Sequence, residues 1–174
     1  NGRITGSALD DRSGVASVLY ALELLDMDNF SCSFSVVFST QEELGERGAK
    51  IAAYEINPDI AIAVDVSFAY TCGDKEYECG KFGNGPMIGI SPSLSREISE
   101  KLIDVCCDKN IPFQREVMHG LTSTNADQFS VNREGCKACT VSVPLKYMHT
   151  PSEVIMLEDV RHTGELLAEF LRRC

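Results

Sequence analysis

Short apolar runs alternate with amphipathic helical segments along this chain, and this alternation is what most constrains its fold. Apolar residues spaced three, four and seven apart from Val15 predict a helix, and the preceding Asp-Asp-Arg-Ser stretch suits its first turn. The runs FSVVFST, from Phe34 to Thr40, and DIAIAVDV, from Asp59 to Val66, predict buried strands. Strands that alternate with helices predict an α/β fold, in which helices cover both faces of a mixed, mostly parallel sheet.

The rest of the chain continues the same pattern. Further strands are predicted in PMIGIS, PFQREVM and CTVSVP, and helices at residues 46–55, after Ser93, at residues 125–133 and from Leu157 to Leu171. Gly73 to Gly85 reads as a loop because it is rich in glycine and charge. A length of 174 residues allows one sizeable core, so we expect a single domain over residues 1–174.

Composition and charge exclude several classes of protein. Sixteen Lys and Arg against 26 Asp and Glu give a net charge of -10, which disfavours binding to nucleic acid or to an anionic membrane surface. The sequence shows no signal-peptide pattern and no apolar run near the length of a membrane span, so we expect a cytoplasmic protein. The apolar fraction of 44% needs no disulfide scaffold, and the eight cysteines are expected to be reduced.

Carboxylate and imidazole side chains stand where predicted strands end or a helix begins. Because ligands bind beyond the carboxyl ends of strands in a doubly covered sheet, these positions favour a shared site. Carboxylate oxygens and imidazole nitrogens suit a divalent ion such as zinc. The side chains concerned are Asp10, Glu42, Glu43, Asp65 and His149.

Each of these side chains taken singly has an ordinary structural explanation. Asp10 and Asp11 could cap a helix, and Glu42 with Glu43 could form a solvated turn. Asp65 is harder to explain in this way, because an acid within so apolar a strand must be paired or coordinated if it is buried. It is the joint placement that predicts a metal site.

Five segments carry a resemblance to a known family. They are GSALDDRSG, FSTQEELGERGA, IAVDVS, TSTNAD and VPLKYMHTP, and they span nearly the whole chain. In this order and at these intervals they resemble the glutamyl aminopeptidase family of co-catalytic metallopeptidases, some members of which assemble as tetrahedral particles. The resemblance implies hydrolysis of N-terminal residues from peptides and homo-oligomers of the full-length protein.

The resemblance also implies roles for single residues. Asp10 would bridge two divalent metal ions, most simply zinc, with cobalt or manganese as options. Glu43 and His149 would complete one metal site, and Asp65 would serve the other. Glu42 would act as the general base that moves a proton between water and the leaving amine.

The chain departs from the family pattern in several places. Family members carry another metal-binding histidine upstream of the position of Asn1, and an inserted β-barrel domain, so the second metal site is expected to be incomplete here. The chain would then be the C-terminal part of a longer two-domain protein, with low or no activity alone. Lys146 stands where the family usually has arginine. His119, after a strand, and His162, on the exposed side of the closing helix, are not expected to bind metal.

Two other functions remain open from the sequence. In a glycoside hydrolase, Glu42 and another acid would act as an acid and base pair without metal, which leaves His149 unexplained. A non-catalytic assembly domain would keep the ligands without turnover.

Overall fold

The computed structural model describes residues 2–26 and 31–174. Two short 3-10 turns, Glu42–Leu44 and Glu76–Glu78, lie between the main elements. In chain order these elements are β1 (Arg3–Gly6), α1 (Leu9–Leu24), α2 (Arg47–Ile56), β2 (Ile60–Phe68), β3 (Met87–Ile90), α3 (Arg96–Lys109), β4 (Gln114–Val117), α4 (Ala126–Ser130), β5 (Lys137–Lys146), β6 (Glu153–Met156) and α5 (Leu157–Leu171).

One mixed sheet organises the described part of the chain. Its strands run in the order β1-β6-β5-β3-β4, and β2 also pairs with β5. The β2 and β5 strands are parallel, from Ile60 opposite Lys137 to Phe68 opposite Leu145, and β3 and β4 are parallel as well. The β1–β6, β3–β5 and β5–β6 pairs are antiparallel. The predicted α/β fold with a mixed sheet is confirmed, although antiparallel pairs outnumber parallel ones among these strands.

Helices cover both faces of the sheet. On one face, α3 and α5 pack against Ile88 and Val141, and α1 meets α5 above Ile62. On the other face, α4 packs Ala126 against Ala63 and Ala138. Since alternate residues of a strand face opposite sides, β2 and β5 supply apolar side chains to both layers.

The prediction of a strand from Phe34 to Thr40 is wrong, since the structure assigns no strand to these residues. Within this segment, Val37 and Phe38 are 44% and 55% exposed. A β-branched run favours a strand only where a neighbouring strand and a packing surface receive it. The strands β1 and β6 were not predicted from the sequence.

Candidate metal centre

Three side chains from separate parts of the chain converge beyond the end of β5. His149 Nε2 lies 3.2 Å from Asp10 Oδ2 and 3.5 Å from Glu43 Oε1. One donor atom from each residue falls within 4.8 Å of the others. The structure therefore brings together three of the five predicted site residues.

A residue with left-handed backbone conformation lies at or just before each of these positions. Ala8 (φ 54°) precedes the start of α1, Gln41 (φ 59°) precedes Glu42, and His149 itself has φ 60°. Such conformations are costly for residues other than glycine and persist where surrounding contacts fix them, often at functional sites. The peptide bond between Asp10 and Asp11 is cis.

Glu153, the first residue of β6, ties two of the three segments together. One of its carboxylate oxygens accepts the backbone N–H groups of Leu9, at 2.7 Å, and Asp10, at 3.2 Å. The other accepts the N–H of His149 at 2.9 Å. Glu153 is only 2% exposed, so its bonds to the two site segments are shielded from water.

The segment carrying Glu43 is fixed by close contact with α2. Gly48 donates its backbone N–H to Thr40 O at 2.9 Å, and a side chain at Gly48 would lie 2.5 Å from Thr40 N. Only glycine allows the backbones to approach this closely. The contact sets the position from which the turn at Glu42 begins.

Burial and mutual repulsion raise the pKa values of several carboxyl groups around the centre. Burial raises the pKa of Asp11 to about 9, and the nearby Asp65 adds to the rise. Burial likewise raises the pKa of Asp65 to about 7, and that of Asp10, where repulsion from Glu43 contributes. A cation bound among these groups would oppose the repulsion, since opposite charge favours the ionised carboxylate.

Asp65 and Glu42 lie near the centre without joining the three-residue cluster. Asp65 Oδ1 accepts the backbone N–H of Val66 at 2.8 Å, and its carboxyl is close enough to Asp10 for their charges to interact. Glu42 is half-buried, and burial, with repulsion from Glu43, raises its pKa. The roles predicted for these two residues stay predictions.

Asp11 holds the backbone near the centre. Its Oδ1 accepts the N–H of Gly14 at 2.9 Å, within the first turns of α1. This contact agrees with the capping role considered from the sequence.

The remaining histidines stand apart from the cluster. His162 lies on α5 as predicted, with Nε2 3.6 Å from Glu158 Oε1, but only 17% of its side chain is exposed. The expectation of an exposed His162 is therefore wrong, because α5 packs this side of its surface. His119 is exposed and belongs to no described group of metal donors.

Sequence reasoning missed Glu153. It lies four residues after His149, and nothing in the pattern HTPSEV distinguishes a buried acceptor from a surface acid. Its role depends on β6 pairing with β1 and β5, which places its carboxylate between the start of α1 and the turn that carries His149.

The donor set fits a single divalent ion. Ligand atoms bound to zinc at 2.0–2.2 Å in a tetrahedron stand about 3.4 Å apart, close to the 3.2 and 3.5 Å separations around His149. Two carboxylates and one imidazole leave a fourth position open, as in catalytic zinc sites. An α/β sheet with such a group beyond a strand end is typical of metal-dependent hydrolases.

Comparison with known proteins identifies the family. Residues 1–166 match the family model of the M42 glutamyl aminopeptidases. The chain belongs to this family, as its sequence motifs predict.

Similar proteins agree with this assignment. Lysyl aminopeptidase of Pyrococcus furiosus is 32% identical over 163 residues, covering 94% of this chain and 46% of that protein. An aminopeptidase structure from Desulfurococcus kamchatkensis is 36% identical with a TM-score of 0.92, over 99% of this chain and 49% of that one. The TET1 peptidase of Pyrococcus horikoshii, which can assemble into a tetrahedron or a large octahedral shell, is 30% identical with a TM-score of 0.81, over 97% and 50%. The chain spans about half the length of the curated relatives it matches.

Proposed function

We propose that this chain is the catalytic part of a metal-dependent aminopeptidase that removes N-terminal residues from peptides. The convergence of Asp10, Glu43 and His149 carries the proposal, because these donors fit a divalent ion in a chain of the M42 family. Zinc suits the mixed carboxylate and imidazole set best, and cobalt or manganese would accept the same ligands.

A second ion is proposed beside the first. Asp10 has a second carboxylate oxygen with which to bridge two ions, and Asp65 is the acid that would hold the second. Burial of Asp65 supports this role, because no ion pair joins it to a basic side chain among residues 2–26 and 31–174. Apart from Asp10, the three-donor cluster supplies no ligand to this second site.

Glu42 is the proposed general base. A divalent ion at the centre supplies charge that polarises the scissile carbonyl and acidifies water. Glu42 is next in sequence to the proposed ligand Glu43. Its pKa is raised toward neutral pH, and a general base is most effective when its pKa lies near the working pH. It would take a proton from the attacking water and return it to the leaving amine.

Assembly and location are further parts of the proposal. The TET1 relative forms large shells, and we propose that the whole protein containing this sequence is also a homo-oligomer, with peptides as substrates and the cytoplasm as its location. No described helix is long and apolar enough to cross a membrane.

Substitutions in the Glu42-Glu43 pair test the proposal. We expect Glu42→Gln to keep zinc within about twofold of the unaltered protein and to lower cleavage of aminoacyl chromogenic substrates at least about 100-fold. Glu43→Gln removes a ligand charge and should lose zinc. Zinc after dialysis is measured by elemental analysis, and turnover in the whole enzyme that contains this sequence.

Glu55→Gln is the matched control, since Glu55 is an exposed carboxylate on α2. Zinc retained by Glu43→Gln at the control's level would contradict the metal centre. Hydrolysis of a chromogenic glycoside that survives complete chelation would instead favour glycoside hydrolase chemistry, which needs two carboxylates and no ion.

A further inference from the structure

A second group of polar side chains lies on the sheet face opposite α5, next to Asp65. The carboxylate of Glu116, on β4, accepts a hydrogen bond from the Ser142 hydroxyl at 3.1 Å and another from the Ser67 hydroxyl. Ser142 is in register with Asp65, and Ser67 follows two residues after it on β2. The two hydroxyl groups therefore bracket Asp65 on the same sheet face, because residues two apart on a strand share a face.

Glu116 has no cation to balance it. No ion pair joins it to a lysine, arginine or histidine among residues 2–26 and 31–174, and nearby charges play no part in shifting its pKa. Burial raises that pKa, and the two serine hydroxyl groups oppose the rise. Glu116 is partly buried and carries no cation, so its carboxylate is available to pair with the positive charge of a ligand.

Two unpartnered polar atoms lie on this same face. Thr140 is fully buried, and its Oγ1 has no hydrogen-bond partner. Thr140 Oγ1 lies over Gly89, which is the residue of β3 in register with Glu116. Asn125 Oδ1 is also buried and unpartnered, beside Ala126, which packs on the same face. Both oxygens can accept hydrogen bonds, as can Glu116.

We propose that Glu116, with Ser67 and Ser142, forms a subsite for a primary ammonium group on the first residue of the peptide. The inference rests on the proposed aminopeptidase function, and it names the group by which that residue is recognised. An ammonium group offers three donors to a set of acceptors that holds a carboxylate and no competing cation. Both the α-amino group and a lysine side chain present this chemistry.

Binding of two amides separates these sources. Norleucinamide carries only the α-ammonium, and Nα-acetyl-lysinamide carries only the side-chain ammonium. Titration calorimetry is done with chelator present, so that no amine can ligate a metal. We expect at least one of the two to bind the unaltered chain, and Glu116→Gln to weaken that probe at least tenfold.

Two variants distinguish recognition from a structural role. Glu100→Gln removes an exposed charge on α3 and should leave binding within twofold, which controls for general attraction to an acidic protein. Ser67→Ala removes one hydroxyl group of the subsite but keeps the carboxylate, so it should weaken amine binding less than Glu116→Gln does. If the Ser67 bond served only to hold strands together, Ser67→Ala and Glu116→Gln would lower thermal stability alike and leave binding unchanged.

The outcomes also separate this inference from the metal centre. Binding of neither probe, or equal binding by Glu116→Gln and Glu100→Gln, would overturn the subsite. Zinc binding by the same samples without chelator would then still support the proposed function. Amine binding lost in Glu116→Gln, with zinc binding retained, supports both.

Discussion

At the scale of single residues, the centre depends on a carboxylate that would bind no metal. Glu153 accepts three backbone N–H groups, two at the start of α1 and one at His149, and so fixes two proposed ligands at once. Groups that orient metal ligands in this way commonly affect affinity nearly as much as the ligands do. The centre is thus built as much by β6 as by the residues that would touch the ion.

We predict that Glu153→Gln weakens zinc binding about 10- to 100-fold. The amide offers one acceptor oxygen where the carboxylate offers two, so Asp10 and His149 can no longer both be held. Competition with a chromogenic chelator measures the affinity. Glu134→Gln changes an exposed residue and should leave the zinc affinity unaltered. Equal affinity in the two variants would show that Glu153 does not support the metal centre.

Asp11 makes the stability of the metal-free chain depend on pH. Folding raises its pKa from the ordinary 3.8 to about 9, so the folded state holds a proton that the unfolded state releases between these values. The free energy of unfolding therefore falls as pH rises through this window. A pKa difference of one is worth about 1.4 kcal/mol, so even part of the difference matters.

We predict that Asp11→Asn removes much of this dependence. The amide does not titrate and keeps an oxygen that can accept the Gly14 N–H. In urea unfolding with chelator, the variant should match the unaltered chain at pH 5 and exceed it by at least about 1 kcal/mol at pH 9. Parallel stability curves across this range would show that Asp11 is ionised in the fold.

At the scale of elements, the site rests on the packing of α1 against α5 and on an apolar cluster below it. Leu9, which precedes Asp10, and Met148, which precedes His149, pack onto an apolar cluster. This cluster contains Val66, Val143 and Ile155. Gly164 on α5 allows close approach, because a side chain there would lie 2.8 Å from Ser17 O of α1. The start of α1, and with it Asp10, is placed by this crossing.

We predict that Gly164→Ala destabilises the chain by about 1–3 kcal/mol. Alanine favours a helix over glycine by about 1 kcal/mol, yet its methyl group would force α1 and α5 apart. Thermal and urea unfolding measure the loss. Gly120→Ala is the control, since a methyl group there would meet nothing within 4 Å. A stabilised Gly164→Ala would mean that the helices adjust freely.

At the scale of the whole molecule, an exposed apolar segment stands out. Residues 33–39 form no described strand, and β2 pairs with β5 in the described sheet. Val36, Val37 and Phe38 are 39%, 44% and 55% exposed. Exposed apolar side chains on a β-prone segment favour association between copies.

We predict that Val37→Lys reduces concentration-dependent association of the isolated chain, because a charge on an exposed apolar segment opposes association between copies. Light scattering across a range of concentrations should show less large material than for the unaltered chain. Leu121→Lys adds the same charge at a residue 76% exposed outside this segment. Equal effects of the two variants would point to net charge alone.

Much of the fold was predictable because its elements are local. The apolar spacing of α1 and α5 and the runs of β2 and β5 appear in short windows of sequence, and their assignments are confirmed. The strand predicted at Phe34 to Thr40 failed for the opposite reason. Its apolar pattern is real, but strand formation needs a neighbour that no window of sequence shows.

The sequence by itself determined the family, the α/β class and the acidic and imidazole side chains at strand ends, because motif order and periodicity are properties of the chain. Only the tertiary structure decided which of these side chains meet. It brought Asp10 and Glu43 to His149, left Asp65 outside that cluster, and placed the Glu153 carboxylate against the backbone of both ligand segments, which no sequence pattern marks. The physical reason is that burial, backbone hydrogen bonds and strand register arise from contacts between residues far apart in the chain, such as Asp10 and Glu153.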